Sequence, residues 1–134
     1  MRTGPGRRKH RNCRLPTDRN IATALMSQGM FSLDGRVALI TGGAAGLGKL
    51  FGETLADFGA DIAIADIDEA TARQTAGLIE GRGRRVLWVK ADVSCPDQVQ
   101  RMVDATVSCL GTSAILVINA GITAKGYRIA DMPV

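Results

Sequence analysis

Short apolar runs alternate with amphipathic segments along the chain from residue 31 onward. Each run is continuous, which is typical of parallel strands covered on both faces. The runs are Val37–Ile40, Ile62–Ala65, Val86–Val89 and Ile115–Ile118. Between them lie Leu47–Phe58, Asp68–Glu80 and about Cys95–Leu110, which have helical periodicity. The pattern predicts an α/β fold with an open parallel sheet, strand order 3-2-1-4, two helices on one face and the third on the other.

Residues at the ends of the helical segments support these boundaries. Asp68 and Ser94 are suited to cap the second and third helices, and Pro96 suits a first helical turn. Gly59 and Gly111 follow the first and third helices and are expected to end them.

Charge divides the chain into an arm and a domain. Residues 1–30 hold seven basic residues and one acidic residue, whereas residues 31–134 hold ten basic and twelve acidic residues. We expect 1–30 to be a disordered basic arm and 31–134 to be the folded domain. A mitochondrial transit peptide has a similar composition, and the arm is an upstream extension if the true start is Met26 or Met30.

Composition also limits the partners and the compartment. No apolar run approaches the roughly 20 residues of a membrane span, and the arm has no aromatic residue for base stacking. We therefore expect neither a membrane nor a nucleic-acid partner. Cys13, Cys95 and Cys109 match no metal-binding spacing, so we expect no metal and reduced thiols in a cytoplasmic protein.

A glycine-rich turn, Thr41-Gly-Gly-Ala-Ala-Gly-Leu-Gly48, follows the first predicted strand. Gly42, Gly46 and Gly48 are spaced for a sharp turn, a close approach of the backbone to a pyrophosphate and tight packing of helix on strand. The helix that follows offers its first N–H groups to an anion. The turn therefore predicts a phosphate-binding site.

The same turn also resembles a P-loop, because Gly43, Gly48 and Lys49 fit G-x-x-x-x-G-K-[ST]. Leu50, however, replaces the hydroxyl that holds Mg²⁺. Asp66, at the end of the second predicted strand, favours a dinucleotide, since a carboxylate there accepts hydrogen bonds from the adenosine ribose and repels a 2′-phosphate. No basic residue adjoins it, although Arg36 and Lys49, on the first βα unit, are candidates to reach in. We predict NAD rather than NADP.

Two further motifs follow the third and fourth predicted strands: Asp92-Val93 and Asn119-Ala120-Gly121. Together with T-G-x-x-x-G-x-G at residues 41–48, they resemble the classical short-chain dehydrogenase/reductase family from Phe31 to Val134. The resemblance implies a Rossmann-type doubly wound sheet and an NAD(P)-dependent oxidoreductase for small alcohols or carbonyls, homo-oligomeric at full length. By position it implies cofactor-binding roles for Thr41, Gly42, Gly46, Leu47, Gly48, Asp66, Asp92, Val93, Asn119, Ala120 and Gly121.

The catalytic groups of that family have no counterpart in this sequence. The family uses a Tyr, a Lys four residues later and a Ser, whereas Tyr127 is followed by Asp131 and no Ser follows Gly121. We therefore assign no catalytic residue and expect a domain truncated after the fourth strand, inactive alone. The alternatives are a non-catalytic dinucleotide-binding module and a P-loop-like nucleotide-binding protein.

Overall fold

The computed structural model describes residues 13–14, 29 and 31–122. The described strands are β1 (Cys13–Arg14), β2 (Val37–Thr41), β3 (Asp61–Asp66), β4 (Val86–Lys90) and β5 (Ile115–Ile118). The described helices are α1 (Gly46–Asp57), α2 (Glu69–Glu80) and α3 (Pro96–Cys109). All four predicted strands and all three predicted helices are confirmed, and no boundary differs from its prediction by more than one residue.

The sheet has the strand order β1–β4–β3–β2–β5. Strand β2 pairs in parallel with β3 and β5, and β3 pairs in parallel with β4. The register sets Ile40 of β2 between Ile64 of β3 and Val117 of β5. The predicted order of the four parallel strands is therefore confirmed, and their carboxyl ends meet at one edge of the sheet.

Helices cover both faces of the sheet, as predicted. Small residues of α1 and α2, such as Ala56 and Ala76, bring these helices close to a core that contains Ile40 and Ile62. On the opposite face, Met102 of α3 belongs to the cluster that holds the remaining strand side chains. The central strands β2 and β3 are apolar on both faces, and each of these faces is buried under helices.

Strand β1 contradicts the prediction that the whole arm is disordered. It pairs antiparallel with β4, with Cys13 opposite Leu87 and Arg14 opposite Val86. Without β1, the outer edge of β4 would present unpaired N–H and C=O groups, and such an edge accepts a further strand. Residue 29 is also described; the rest of the predicted arm lies outside the described residues.

Two predictions at the ends of α3 are wrong. The N-cap is Cys95 rather than Ser94, and no side-chain bond caps the helix, because the Ser94 hydroxyl donates to Asp92 instead. Cys109 is disulfide-bonded, not reduced; spacing along the sequence does not reveal which residues meet in the fold. Cys95 is a free, half-buried thiol. The predicted cap on α2 is confirmed, since Asp68 accepts from the Thr71 N–H at 3.1 Å.

Ion pairs join the loops at the amino edge of the sheet. Asp61, the first residue of β3, is 5% exposed, and its carboxylate accepts hydrogen bonds from the guanidinium groups of Arg84 and Arg85. Arg84 also reaches Asp34 at 3.3 Å. These contacts connect the segments that precede β2, β3 and β4.

Among the described residues, β5 is the edge strand on the side of the sheet opposite β1. Leu116 and Ile118 are 59% and 82% exposed. Ile115 and Val117 point to the opposite face and pack partly against the α1–α2 side of the core. One face of β5 is therefore apolar and uncovered by any described residue.

Candidate functional site

A cleft of about 470 Å³ lies at the carboxyl ends of the parallel strands. Seven of the eleven predicted binding residues line it: Gly42, Asp66, Asp92, Val93, Asn119, Ala120 and Gly121. The other lining residues were not predicted: Ala45, Ala65, Ile67, Ala91, Ser94 and Ile122. In open α/β sheets, ligands bind outside the strand ends where the strand order reverses, which here is between β2 and β5.

The four remaining predicted residues, Thr41, Gly46, Leu47 and Gly48, do not line the cleft. Gly48 lies in the first turn of α1 and faces the turn backbone, while the Leu47 side chain is 64% exposed. Gly46 begins α1 with φ of 54°. Thr41 lies at the end of β2, next to the cleft, and bonds to residues that line it.

Gly42 and Gly48 occupy positions where no side chain fits. Gly42 has φ of 64°, and a Cβ on it would lie 2.8 Å from the Cα of Ala120. A Cβ on Gly48 would lie 2.0 Å from the carbonyl oxygen of Gly42. The turn is therefore pressed against α1 and against the end of β5, so that it presents backbone to the cleft.

No side chain caps the start of α1. Its N-cap, Ala45, makes no side-chain hydrogen bond, and the first turn contains no acidic residue. The first N–H groups of a helix have no acceptor within the helix, and they carry the positive end of its dipole. Since Ala45 also lines the cleft, this end of the cleft is suited to bind an anion.

Hydrogen bonds between Thr41 and Asn119 join the ends of β2 and β5. The Thr41 Oγ1 accepts from the N–H groups of Asn119 at 3.1 Å and Ala120 at 3.2 Å. The Asn119 Nδ2 donates to the carbonyl oxygens of Thr41 at 3.3 Å and Gly42 at 3.0 Å. Asn119 therefore fixes one wall of the cleft relative to the turn.

Asp66 connects the turn to the end of β3. Its Oδ2 accepts from the Ala44 N–H at 3.0 Å, and its Oδ1 accepts from the Asp68 N–H at 3.1 Å. The side chain is half-buried in the cleft wall. Because a carboxylate has about four acceptor positions, both oxygens can accept a further hydrogen bond from a ligand.

Asp92 is held as an ionised acceptor on the far wall. The Ser94 hydroxyl and N–H donate to its Oδ1 at 2.7 and 2.9 Å, and these bonds hold the pKa of Asp92 below its usual range. The Gln98 Oε1 accepts from the Asp92 N–H at 3.0 Å. Neither partner was predicted from the sequence, although Ser two residues after Asp and Gln in the first helical turn are typical of such local bonds.

A family model described as short chain dehydrogenase matches residues 36–132. This range contains the glycine-rich turn and the three polar residues just described, Asp66, Asp92 and Asn119. The chain belongs to the short chain dehydrogenase family.

Relatives in the short chain dehydrogenase family share the same region. A short chain dehydrogenase/reductase of Aspergillus oryzae is 37% identical over 103 residues, which make up 76% of this chain and 40% of that protein. The chain thus spans about two fifths of that relative's length.

Two solved structures have the same fold. A short chain dehydrogenase/reductase from Burkholderia phymatum, in complex with NAD, has a TM-score of 0.62 and 38% identity, covering 65% of this chain and 31% of its own. The Pseudomonas aeruginosa RhlG complex with NADP has a TM-score of 0.63 and 34% identity, covering 69% of this chain and 37% of its own. The Rossmann-type fold predicted for this chain is thereby confirmed.

The cleft is lined by two carboxylates, and none of the described residues that line it is a Lys or Arg. Lys49 lies beside Glu53, at 3.8 Å between Nζ and Oε1, and Arg36 precedes β2 at the opposite edge of the sheet. Neither basic residue that seemed near enough to reach Asp66 lines the cleft. A P-loop lysine would face the phosphate site, so the P-loop alternative has no support in this geometry.

The predicted absence of a catalytic Tyr–Lys pair rests on Tyr127 and Asp131. Both residues lie outside the described residues. Within the described part of the chain, no helix is long and apolar enough to cross a bilayer. In the same part, no group of His, Cys, Asp and Glu side chains is arranged to hold a metal ion.

Proposed function

We propose that this chain binds a nicotinamide dinucleotide in the cleft, and NAD in preference to NADP. It would serve as the cofactor-binding part of an oxidoreductase for a small alcohol or carbonyl substrate. The observation that carries the proposal is the position of Asp66, which lies in the cleft wall while its carboxylate is bonded to the backbone of the glycine-rich turn.

The residues of the cleft fit the parts of such a cofactor. The pyrophosphate would lie at the turn, where Gly42 leaves room for it and the first N–H groups of α1 supply donors. Asp66 would accept hydrogen bonds from the adenosine ribose. Asp92 and Val93 would contact the adenine, and Asn119, Ala120 and Gly121 the nicotinamide-side ribose.

Electrostatics favour NAD. The carboxylates of Asp66 and Asp92 would repel the extra 2′-phosphate of NADP, and no cationic side chain among the described residues lines the cleft to offset that repulsion. A binding site for a 2′-phosphate normally provides an Arg. The relatives with solved structures include complexes with each cofactor, so the preference is inferred from these side chains alone.

The cofactor supplies the hydride chemistry when it is bound. This chain's own residues bind and orient it: Asp66 fixes the ribose, and the turn fixes the pyrophosphate. The expected cytoplasmic location and homo-oligomeric state of the full-length protein stay predictions.

The test is Asp66→Ala, with NAD⁺ and NADP⁺ binding measured by titration calorimetry. Loss of a charged hydrogen bond, about 1.5–3 kcal/mol, should weaken NAD⁺ binding by at least about tenfold. NADP⁺ binding should weaken less or improve, because the variant also removes a repulsive charge. Asp68→Ala is the matched control, since that nearby carboxylate caps α2 and does not line the cleft.

Equal losses for NAD⁺ and NADP⁺ in the Asp66→Ala variant would place Asp66 away from the ribose. Binding of ATP that depends on Mg²⁺, with no binding of NAD⁺, would contradict the proposal and favour the P-loop alternative.

A further inference from the structure

Thr75, on α2, holds the glycine-rich turn from outside the cleft. Its Oγ1 donates to the carbonyl oxygen of Ala44 at 2.6 Å, and the residue is 2% exposed. A helical threonine commonly donates to the carbonyl three or four residues before it, as Thr106 of α3 does to Met102 at 2.8 Å. Thr75 instead donates to a residue 31 positions away in the sequence.

Ala44 is consequently held on both sides. Its N–H donates to Asp66 Oδ2 at 3.0 Å, and its carbonyl accepts from Thr75. The first bond fixes the peptide between residues 43 and 44, and the second fixes the peptide between residues 44 and 45. Since α1 begins at Gly46, these two bonds set the direction in which the chain enters the helix.

We propose that Thr75 is a positioning residue for the dinucleotide. Thr75 does not line the cleft and would not touch the ligand. Its hydroxyl fixes the peptide after Ala44, and with it the N–H groups at the start of α1. Donors that are already oriented bind an anion without a further ordering cost. The inference rests on the proposed function, because it names the residue that prepares the turn for the pyrophosphate.

Thr75→Val removes the hydroxyl and keeps the shape of the side chain. The buried Ala44 carbonyl then lacks its donor, and the turn must rearrange to satisfy it. In the full 134-residue chain we expect the Kd for NAD⁺ to rise about tenfold, which corresponds to about 1.4 kcal/mol. Thr75→Ser retains the hydroxyl and should bind NAD⁺ within about twofold of the original chain, or about 0.4 kcal/mol.

Thr106→Val is the matched control. Thr106 is 1% exposed and also donates to a backbone carbonyl, but it lies on α3 on the opposite face of the sheet. It should lower stability as Thr75→Val does and leave the Kd for NAD⁺ unchanged. Equal effects of the two variants on the Kd would show that Thr75 is only a structural residue, and would overturn the inference.

A second measurement needs no ligand. Backbone amide hydrogen exchange of residues 44–48 should accelerate in Thr75→Val, whereas exchange at Ile62 in the core should follow global stability alone. If the original chain binds no NAD⁺, the proposed function fails, while this measurement still decides whether Thr75 orders the turn. Unchanged exchange at 44–48 would overturn the inference. Failure of Thr75→Val and Thr75→Ala to fold, while Thr106→Val folds, would also overturn it.

Discussion

Substitution of Gly48 by alanine tests whether the turn is packed as tightly as the structure indicates. A Cβ at this position would lie 2.0 Å from the carbonyl oxygen of Gly42 and 2.7 Å from Nδ2 of Asn119. The first atom is backbone and cannot rotate away. The turn must therefore move, and the bonds from Asn119 to Thr41 and Gly42 must lengthen or break.

The magnitude follows from three contributions. Overpacking of a tight site costs about 1–3 kcal/mol, and the loss of two hydrogen bonds from Asn119 costs about 1 kcal/mol each. Alanine in a helix recovers about 1 kcal/mol relative to glycine. We expect Gly48→Ala to lower the free energy of unfolding by roughly 2–4 kcal/mol.

Gly77→Ala provides the control for helix propensity. Gly77 lies within α2, and a Cβ there would meet nothing within 4 Å. This variant should raise the free energy of unfolding by about 0.5–1 kcal/mol. Urea unfolding followed by the fluorescence of Trp88, the single tryptophan, measures both. A Gly48→Ala variant as stable as Gly77→Ala would refute the tight packing of the turn.

Three further predictions concern other parts of the molecule. Asp61→Ala should cost about 3–5 kcal/mol in urea unfolding, because it removes the acceptor of two largely buried guanidinium groups; a loss below about 1 kcal/mol would show that these pairs contribute little. Thr71→Val should raise the pKa of Asp68, as measured by NMR titration of its carboxyl carbon. In the original chain, hydrogen bonds donated by the Thr71 hydroxyl and N–H hold that pKa below its ordinary value. The Asp68 cap of the original chain contributes its full stabilisation of the fold above the unfolded pKa of about 3.9. That stabilisation is lost as the pH falls through the lowered pKa of the folded state. An unchanged pKa of Asp68 in Thr71→Val would contradict this. The chain should self-associate through the exposed face of β5, and Leu116→Lys with Ile118→Lys should reduce the association seen by light scattering; a monomeric original chain would disprove it.

The sequence was sufficient to predict the parallel sheet because its signals are local. A continuous run such as Val37–Ile40 marks a strand buried on both faces, and a residue such as Gly59, with φ of 106°, marks where a helix ends. The glycine spacing at 42–48 was likewise readable, since a Cβ on Gly42 or Gly48 would meet neighbouring backbone and Gly46 has a positive φ. Seven of the eleven predicted site residues therefore line one cleft.

The sequence did not reveal contacts that depend on distance in space. Nothing near Thr75 shows that its hydroxyl reaches Ala44 rather than its own helix, and nothing near Cys109 shows that it is disulfide-bonded. The pairing of β1 with β4 was missed for the same reason, because two residues carry no periodicity. Ser94 was misjudged because it satisfies the rule for a helix cap, while the carboxylate of Asp92 competes for its hydroxyl.

For the proposed dinucleotide, the charges of the cleft leave the recognition of phosphate to the backbone. The described lining residues of the cleft include carboxylates but no Lys or Arg, so the proposed anionic ligand would depend on the helix dipole and on N–H groups whose direction is set by the fold. Such a site tolerates substitutions of exposed side chains near the turn, such as Leu47, because they supply no donor. It is sensitive instead to Gly42 and Gly48, which let the backbone approach, and to the bonds on Ala44, which orient it. Binding would therefore be lost mainly through substitutions that disturb the backbone of the turn, and not through the loss of a charged side chain.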